Sequence, residues 1–137
     1  MKRGQVSQGR YLAEWEYEMV KDKSNKIYTE LLNHMKTLYP ALNGGTAFSE
    51  KVKLPYLHFI NIDSPTVATT MSNTEDAVNL AFQVDIYTDG GMNMAKKMAY
   101  EVRSFMIEEG FRVRNFMPIV QPTNVSRFVG RYERLDV

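Results

Sequence analysis

Hydrophobic positions along the chain fall into a short series of periodic runs. Tyr11 to Val20 carries Leu12, Trp15 and Met19 on one stripe at helical spacing. Lys21 to Lys26 is polar and interrupts that stripe. From Ile27 to Tyr39, Tyr28, Leu31, Leu32, Met35 and Leu38 form a second apolar face, with Ser24 or Asn25 as N-cap candidate and Pro40 as stop. The spacing leaves open whether these are two helices or one bent helix. Ala41 to Leu54, with Asn43-Gly44-Gly45, reads as irregular loop. Tyr56 to Ile62 is apolar on both faces, which predicts a central strand covered on each side. Asp63-Ser64-Pro65 reads as a turn, and Thr66 to Asp76 as a polar, mobile loop.

The second half is more regular. Leu80 to Thr88 alternates, with Leu80, Phe82, Val84 and Ile86 on one face and Ala81, Gln83, Asp85 and Tyr87 on the other. Asp89-Gly90-Gly91 breaks this strand, and Asp89 is placed to cap the helix that follows. That helix spans Met92 to Glu109, with Ala95, Met98, Ala99, Val102, Phe105 and Met106 as buried stripe and Gly110 as its stop. Glu108 and Glu109 oppose the helix dipole, so an arginine from the following strands is expected beside them. Phe111 to Arg114 begins a strand with its arginines on one face, and Pro118 and Pro122 place it at an edge or make it bulged. Val125 to Leu135 returns as the last strand, Phe128 and Tyr132 on one face and Arg127 and Arg131 on the other. The order helix, strand, strand, helix, strand, strand predicts an α+β fold, a single-layer, mostly antiparallel sheet of about four strands flanked by helices. Residues 1–26 read as a partly helical N-terminal extension and 27–137 as one domain.

Composition narrows the function. The chain has 137 residues with 44% hydrophobic and 24% charged positions, an ordinary globular balance. Seventeen basic and sixteen acidic residues leave a formal charge of +1, which excludes nucleic-acid binding driven by bulk charge. The absence of cysteine excludes a disulfide framework, a thiolate zinc site, an iron–sulfur cluster and a cysteine nucleophile. No apolar h-region opens the chain and no apolar run approaches the roughly 18 residues of a membrane span, so a soluble, intracellular protein is expected. Charge is nevertheless segregated. Thr69 to Gly110 is net −4, whereas Phe111 to Val137 holds Arg112, Arg114, Arg127, Arg131 and Arg134 against Glu133 and Asp136. Arginine is favoured in partly buried ion pairs and at interfaces, so these cations serve either internal pairing or a neighbouring subunit.

Candidate chemistry is sparse. His34 reads as a helix-surface residue and His58 as a packed strand residue, since neither has carboxylates at ligand spacing. Asp85 and Asp89 lie four apart, a poor acid–base pair. Gly44-Gly45 and Gly90-Gly91 fit neither a P-loop nor a dinucleotide fingerprint. The methionines sit at helical spacing as core filler. No enzyme and no cofactor is expected. An RNA-recognition sheet would place aromatic and basic groups on one face, whereas Phe128 and Tyr132 oppose Arg127 and Arg131.

The strand Phe82-Gln83-Val84-Asp85-Ile86-Tyr87-Thr88-Asp89 leads straight into an amphipathic helix that closes on Glu108-Glu109-Gly110-Phe111. An arginine- and tyrosine-containing strand, Val125 to Asp136, ends the pattern. With the helix ending in Tyr39-Pro40 and the strand Leu54-Pro55-Tyr56-Leu57-His58-Phe59, residues 27 to 136 resemble the tail-terminator (tail-completion, head–tail joining) proteins of tailed bacteriophages. The resemblance implies a virion structural protein made in the host cytoplasm and placed at the tail–neck junction. There it would form a homo-oligomeric ring, typically a hexamer, capping the tail tube and presenting a surface to the neck or head-completion protein. Genomic DNA would pass through its lumen without sequence readout, and no membrane is involved. Arg112, Arg114, Arg127 and Arg131, with Asp85 and Asp89, are the candidate intersubunit or tube contacts. Another neck component, a head–tail adaptor or head-closure protein, is the alternative within the class. A non-viral monomeric domain binding RNA or protein is the alternative outside it.

Overall fold

The computed structural model of the chain describes residues 14–62 and 78–136. The expected turn at 63–65, the polar loop at 66–76 and the residues before 14 lie outside the described residues. Among the described residues two helices and five strands follow one another: α1 (Glu14–Leu38), β1 (Asn43–Gly45), β2 (Tyr56–Asn61), β3 (Val78–Thr88), α2 (Met92–Glu108), β4 (Arg112–Ile119) and β5 (Ser126–Asp136). The sheet order is β1-β2-β3-β5-β4. β2, β3, β5 and β4 pair antiparallel, and the short β1 adds a parallel edge beside β2. The α+β class and largely antiparallel sheet expected from the sequence are what the molecule has, with one strand more.

That extra strand is Asn43-Gly44-Gly45, which the sequence marks as loop. Its extended shape comes from pairing in register with Tyr56, Leu57 and His58. The Asn43 amide ties the following loop down by donating to the Lys53 carbonyl at 3.2 Å.

α1 is a single helix of 25 residues, with no break at the polar run 21–26. Lys21, Asp22, Asn25 and Lys26 are exposed while Ser24 is buried, so the run is the solvent side of a continuous helix. Ser24 lies inside the helix rather than at its cap, and its hydroxyl accepts a hydrogen bond from Asn61 Nδ2 at 2.9 Å. Lys23 reaches Asp136 on β5 at 2.6 Å. The helix runs unbroken past residue 26, and Lys23 and Ser24 contact β5 and β2.

Both described helices pack on the same face of the sheet. Ile27, Leu31 and Met35 of α1 and Ala95, Met98, Ala99, Val102 and Met106 of α2 join Leu57, Phe59, Leu80, Phe82, Val84, Ile86, Phe128 and Tyr132 in one core. Burying each large apolar side chain contributes about 1.5–3 kcal/mol, so this face carries the fold. The expected stripe of α2 is buried except Phe105, which is partly covered.

α2 starts at Gly91, whose φ of 99° needs a glycine, and no side chain caps it. The expected capping by Asp89 is therefore absent, and Asp89 is exposed in the preceding turn. The helix ends as the sequence predicts. Gly110 takes φ 91°, its N–H donates to the Ile107 carbonyl, and the Phe111 N–H donates to the Met106 carbonyl, a Schellman closure. β4 is an edge strand, with a bulge between Val113 and Asn115 and Pro118 on its outer rim.

Candidate functional site

Strand alternation and the one-sided helix layer leave the other sheet face uncovered by any described helix. It presents His58 from β2, Gln83, Asp85 and Tyr87 from β3, Arg127, Arg131 and Glu133 from β5, and Arg112 and Arg114 from β4. The register sets Asp85 opposite His58 on one side and Val129 on the other, and Tyr87 opposite Arg127.

Asp85 is only 1% exposed although it lies on this open face. A buried carboxylate needs a full set of donors, and it has them. Oδ2 accepts from Arg127 Nη2 at 2.7 Å and Nε at 3.2 Å, and from the Tyr87 hydroxyl at 3.3 Å. Oδ1 accepts from Gln83 Nε2 at 2.9 Å. The Gln83 carbonyl oxygen, oriented by that bond, accepts from Arg131 Nε at 2.8 Å. A polar relay Arg131–Gln83–Asp85–Arg127 thus crosses β3 and β5.

An aromatic group adjoins the relay. Phe48, from the loop after β1, stacks on Tyr87 with centroids 4.2 Å apart and planes 20° apart, and lies 5.9 Å from both Tyr56 and His58. The Tyr56 hydroxyl donates to the Ala47 carbonyl and pins the same loop. Arg127 sits 5.4 Å over the Tyr87 ring. Burial, with the Asp85 carboxylate beside it, pushes the Tyr87 phenol above its ordinary range.

At the β4 edge, Arg112 Nη2 and Arg114 Nη1 share one oxygen of Glu133, at 2.8 and 2.9 Å. The hydrogen bond from Arg112 is the main reason that the Glu133 carboxyl stays below its usual range. The Arg112 and Arg114 side chains remain 72% and 54% exposed. Past this cationic end, Met117 is 45% and Val120 94% exposed.

Arg134 serves a different end. It holds Asp136 at 2.6 Å, donates to the Glu109 carbonyl, and lies 4.6 Å over the Phe111 ring. This is the arginine expected at the negative end of α2. Burial alone would raise the Asp136 carboxyl, but bonds from Arg134 and Lys23 outweigh it and hold the group below its ordinary value.

The candidate residues thus separate. Arg127 and Asp85 form an internal pair, and Arg112, Arg114 and Arg131 cluster on the open face. Asp89 stands apart in the β3–α2 turn. His34 is a surface residue whose ring lies 5.4 Å from Phe105, and His58 packs against Phe48 and Tyr56. Gln83, Tyr87, Phe48 and Glu133 were not singled out by the sequence. Only the strand alternation could have assigned Gln83 and Tyr87 to the face of Asp85. Among the described residues no group of three or more His, Asp or Glu could hold a metal ion, and no helix is long and apolar enough to cross a membrane. What the face offers is guanidinium groups held by side-chain partners, with the exposed Met117 on the same strand as Arg112 and Arg114. No protein-family model matches the chain, and no curated protein matches it.

Proposed function

We propose that this chain is a structural subunit of the tail-terminator type, one that assembles as a ring, caps a tail tube and offers a surface to the neck. The observation that supports the reading is the sheet face that no described helix covers, where Arg112, Arg114 and Arg131 stand exposed with Met117. A ring needs two different, complementary surfaces on each subunit. The sheet face is one of them. Internal use of Asp85 and Arg127 rigidifies that face instead of joining subunits, so its intermolecular contacts fall to the arginines with spare donors.

The test is the mass of the purified full chain by light scattering, followed by negative-stain imaging, with and without purified tail tubes. A hexamer-sized ring, alone or formed on the tubes, supports the reading. A monomer that ignores added tubes overturns it in favour of a neck adaptor or a cellular binding domain.

A further inference from the structure

We infer that the outward stripe of α2 is a two-fold interface with a second copy of this chain, the two helices packing antiparallel so that Lys97 of each meets Glu108 of the other. Such a pairing stands apart from the ring proposed above, whose contacts join two different surfaces.

α2 buries Ala95, Met98, Ala99, Val102 and Met106, and at about 3.6 residues per turn its opposite side carries Lys97, Tyr100, Ser104, Ile107 and Glu108. All five are exposed, and Tyr100 and Ile107 keep 45% and 48% of their surface open. The charges of this helix run against its own dipole. Its first turn holds no acid and its last turn no base, while Lys96 and Lys97 stand in the N-terminal half and Glu108 closes it. None of these three forms an ion pair among the described residues. Lysine towards the positive end and glutamate at the negative end are mildly unfavourable in a helix standing alone. An antiparallel copy removes the conflict, since it lays the glutamate end of one helix along the lysine half of the other.

One register satisfies the whole stripe. With the two-fold axis beside residues 102 and 103, Lys97 faces Glu108 of the second copy, and Tyr100 faces Ser104, the smallest of the outward side chains. The Tyr100 ring is already fixed for that contact. It meets Phe116 edge-on with centroids 4.9 Å apart, and the Arg103 guanidinium lies 5.9 Å from its centre. A half-open ring held in this way loses little freedom on docking, and tyrosine so placed is a common energetic anchor of interfaces. A stripe that is basic in one half and acidic at the other end complements its own reverse, which favours a second copy over a partner of uniform charge. Nucleic acid is the poorer occupant, because Glu108 repels phosphate.

The experiment is sedimentation equilibrium of the full chain from micromolar to millimolar concentration at about 0.1 M salt, where exposed charges act over about 10 Å. Lys97→Glu, Glu108→Lys and the double variant Lys97→Glu/Glu108→Lys are compared with wild type after circular dichroism confirms their fold. Each single reversal suits the helix dipole but sets like charges opposite one another twice in the dimer, and is expected to weaken it by about tenfold or more. The double variant, and an equimolar mixture of the two single variants, are expected to recover dimers of wild-type strength. Tyr100→Ala is expected to weaken the dimer by a similar factor. A wild-type chain that stays monomeric throughout overturns the inference, as does a mixture that associates no more tightly than the single variants alone. Ring-sized species that persist unchanged in both single variants, with no dimer lost, overturn this interface and leave the terminator reading standing.

Discussion

The phenol ring of Tyr132 lies over Gly130, two residues earlier on β5, and occupies the volume that a side chain at Gly130 would need. A Cβ built there would come within 2.7 Å of Tyr132 Cζ. Tyr132 is itself 1% exposed and part of the hydrophobic core, so it cannot step aside cheaply. Gly130→Ala is expected to cost about 1–3 kcal/mol as an overpacked core, seen as a lower denaturation midpoint in urea. An unchanged midpoint would mean that the ring has room to move.

The pair Arg127–Asp85 predicts an asymmetric mutational response. Arg127→Ala leaves a carboxylate buried at 1% exposure with only neutral donors, and about 3 kcal/mol of stability should be lost. Asp85→Asn leaves Arg127, whose side chain is 27% exposed and can turn to water, and should cost less. The double variant should be milder than the sum of the two, and additivity in urea denaturation would show that the pair is not coupled.

Acid should weaken the fold at two separate places. Glu133 and Asp136 both have carboxyl groups held below their ordinary ranges by arginine or lysine partners. The unfolded chain therefore takes up protons first as pH falls. Stability is fully present above the ordinary carboxylate range and is lost progressively between about pH 5 and pH 2. Glu133→Gln and Asp136→Asn should each flatten the fall in melting temperature over that window. Glu133 is partly exposed to water and its partners more so, which leaves Asp136 the larger effect.

Phe48 is the side chain that fastens the loop after β1 to the open face. Phe48→Ala removes its stacking on Tyr87 and its contacts with Tyr56 and His58. The expected result is faster amide exchange across residues 46–54 with the helices unaffected, read by hydrogen exchange. Uniform loosening of the whole domain would contradict that local role.

Local chemistry made much of the fold legible. β3 announces itself by alternation, α2 by its apolar stripe and Gly110, and the edge position of β4 by Pro118. What sequence could not supply is non-local. Asn43-Gly44-Gly45 is a strand only because β2 lies beside it. The polar run at 21–26 looks like a break until Lys23 and Ser24 find Asp136 and Asn61, over a hundred and nearly forty positions away. Of the candidate site, the arginines and their shared face were readable from period two. The burial of Asp85 was not, because alternation marks its face as solvent-facing and its main cation lies 42 positions further on. Nor does spacing distinguish an arginine consumed internally, such as Arg127, from one with donors to spare, such as Arg131.

The bulge in β4 and Pro118 on its rim also bear on how the protein survives being made in quantity. An open strand edge templates further strands, and a sheet ending in eight regular, unpaired residues invites stacking of chain upon chain into insoluble fibrils. Here the rim is kinked, lacks an N–H at Pro118 and carries Arg112 and Arg114, so edge-to-edge growth has no straight ladder to extend. At this margin, concentrated chains are thereby kept from runaway strand-on-strand association.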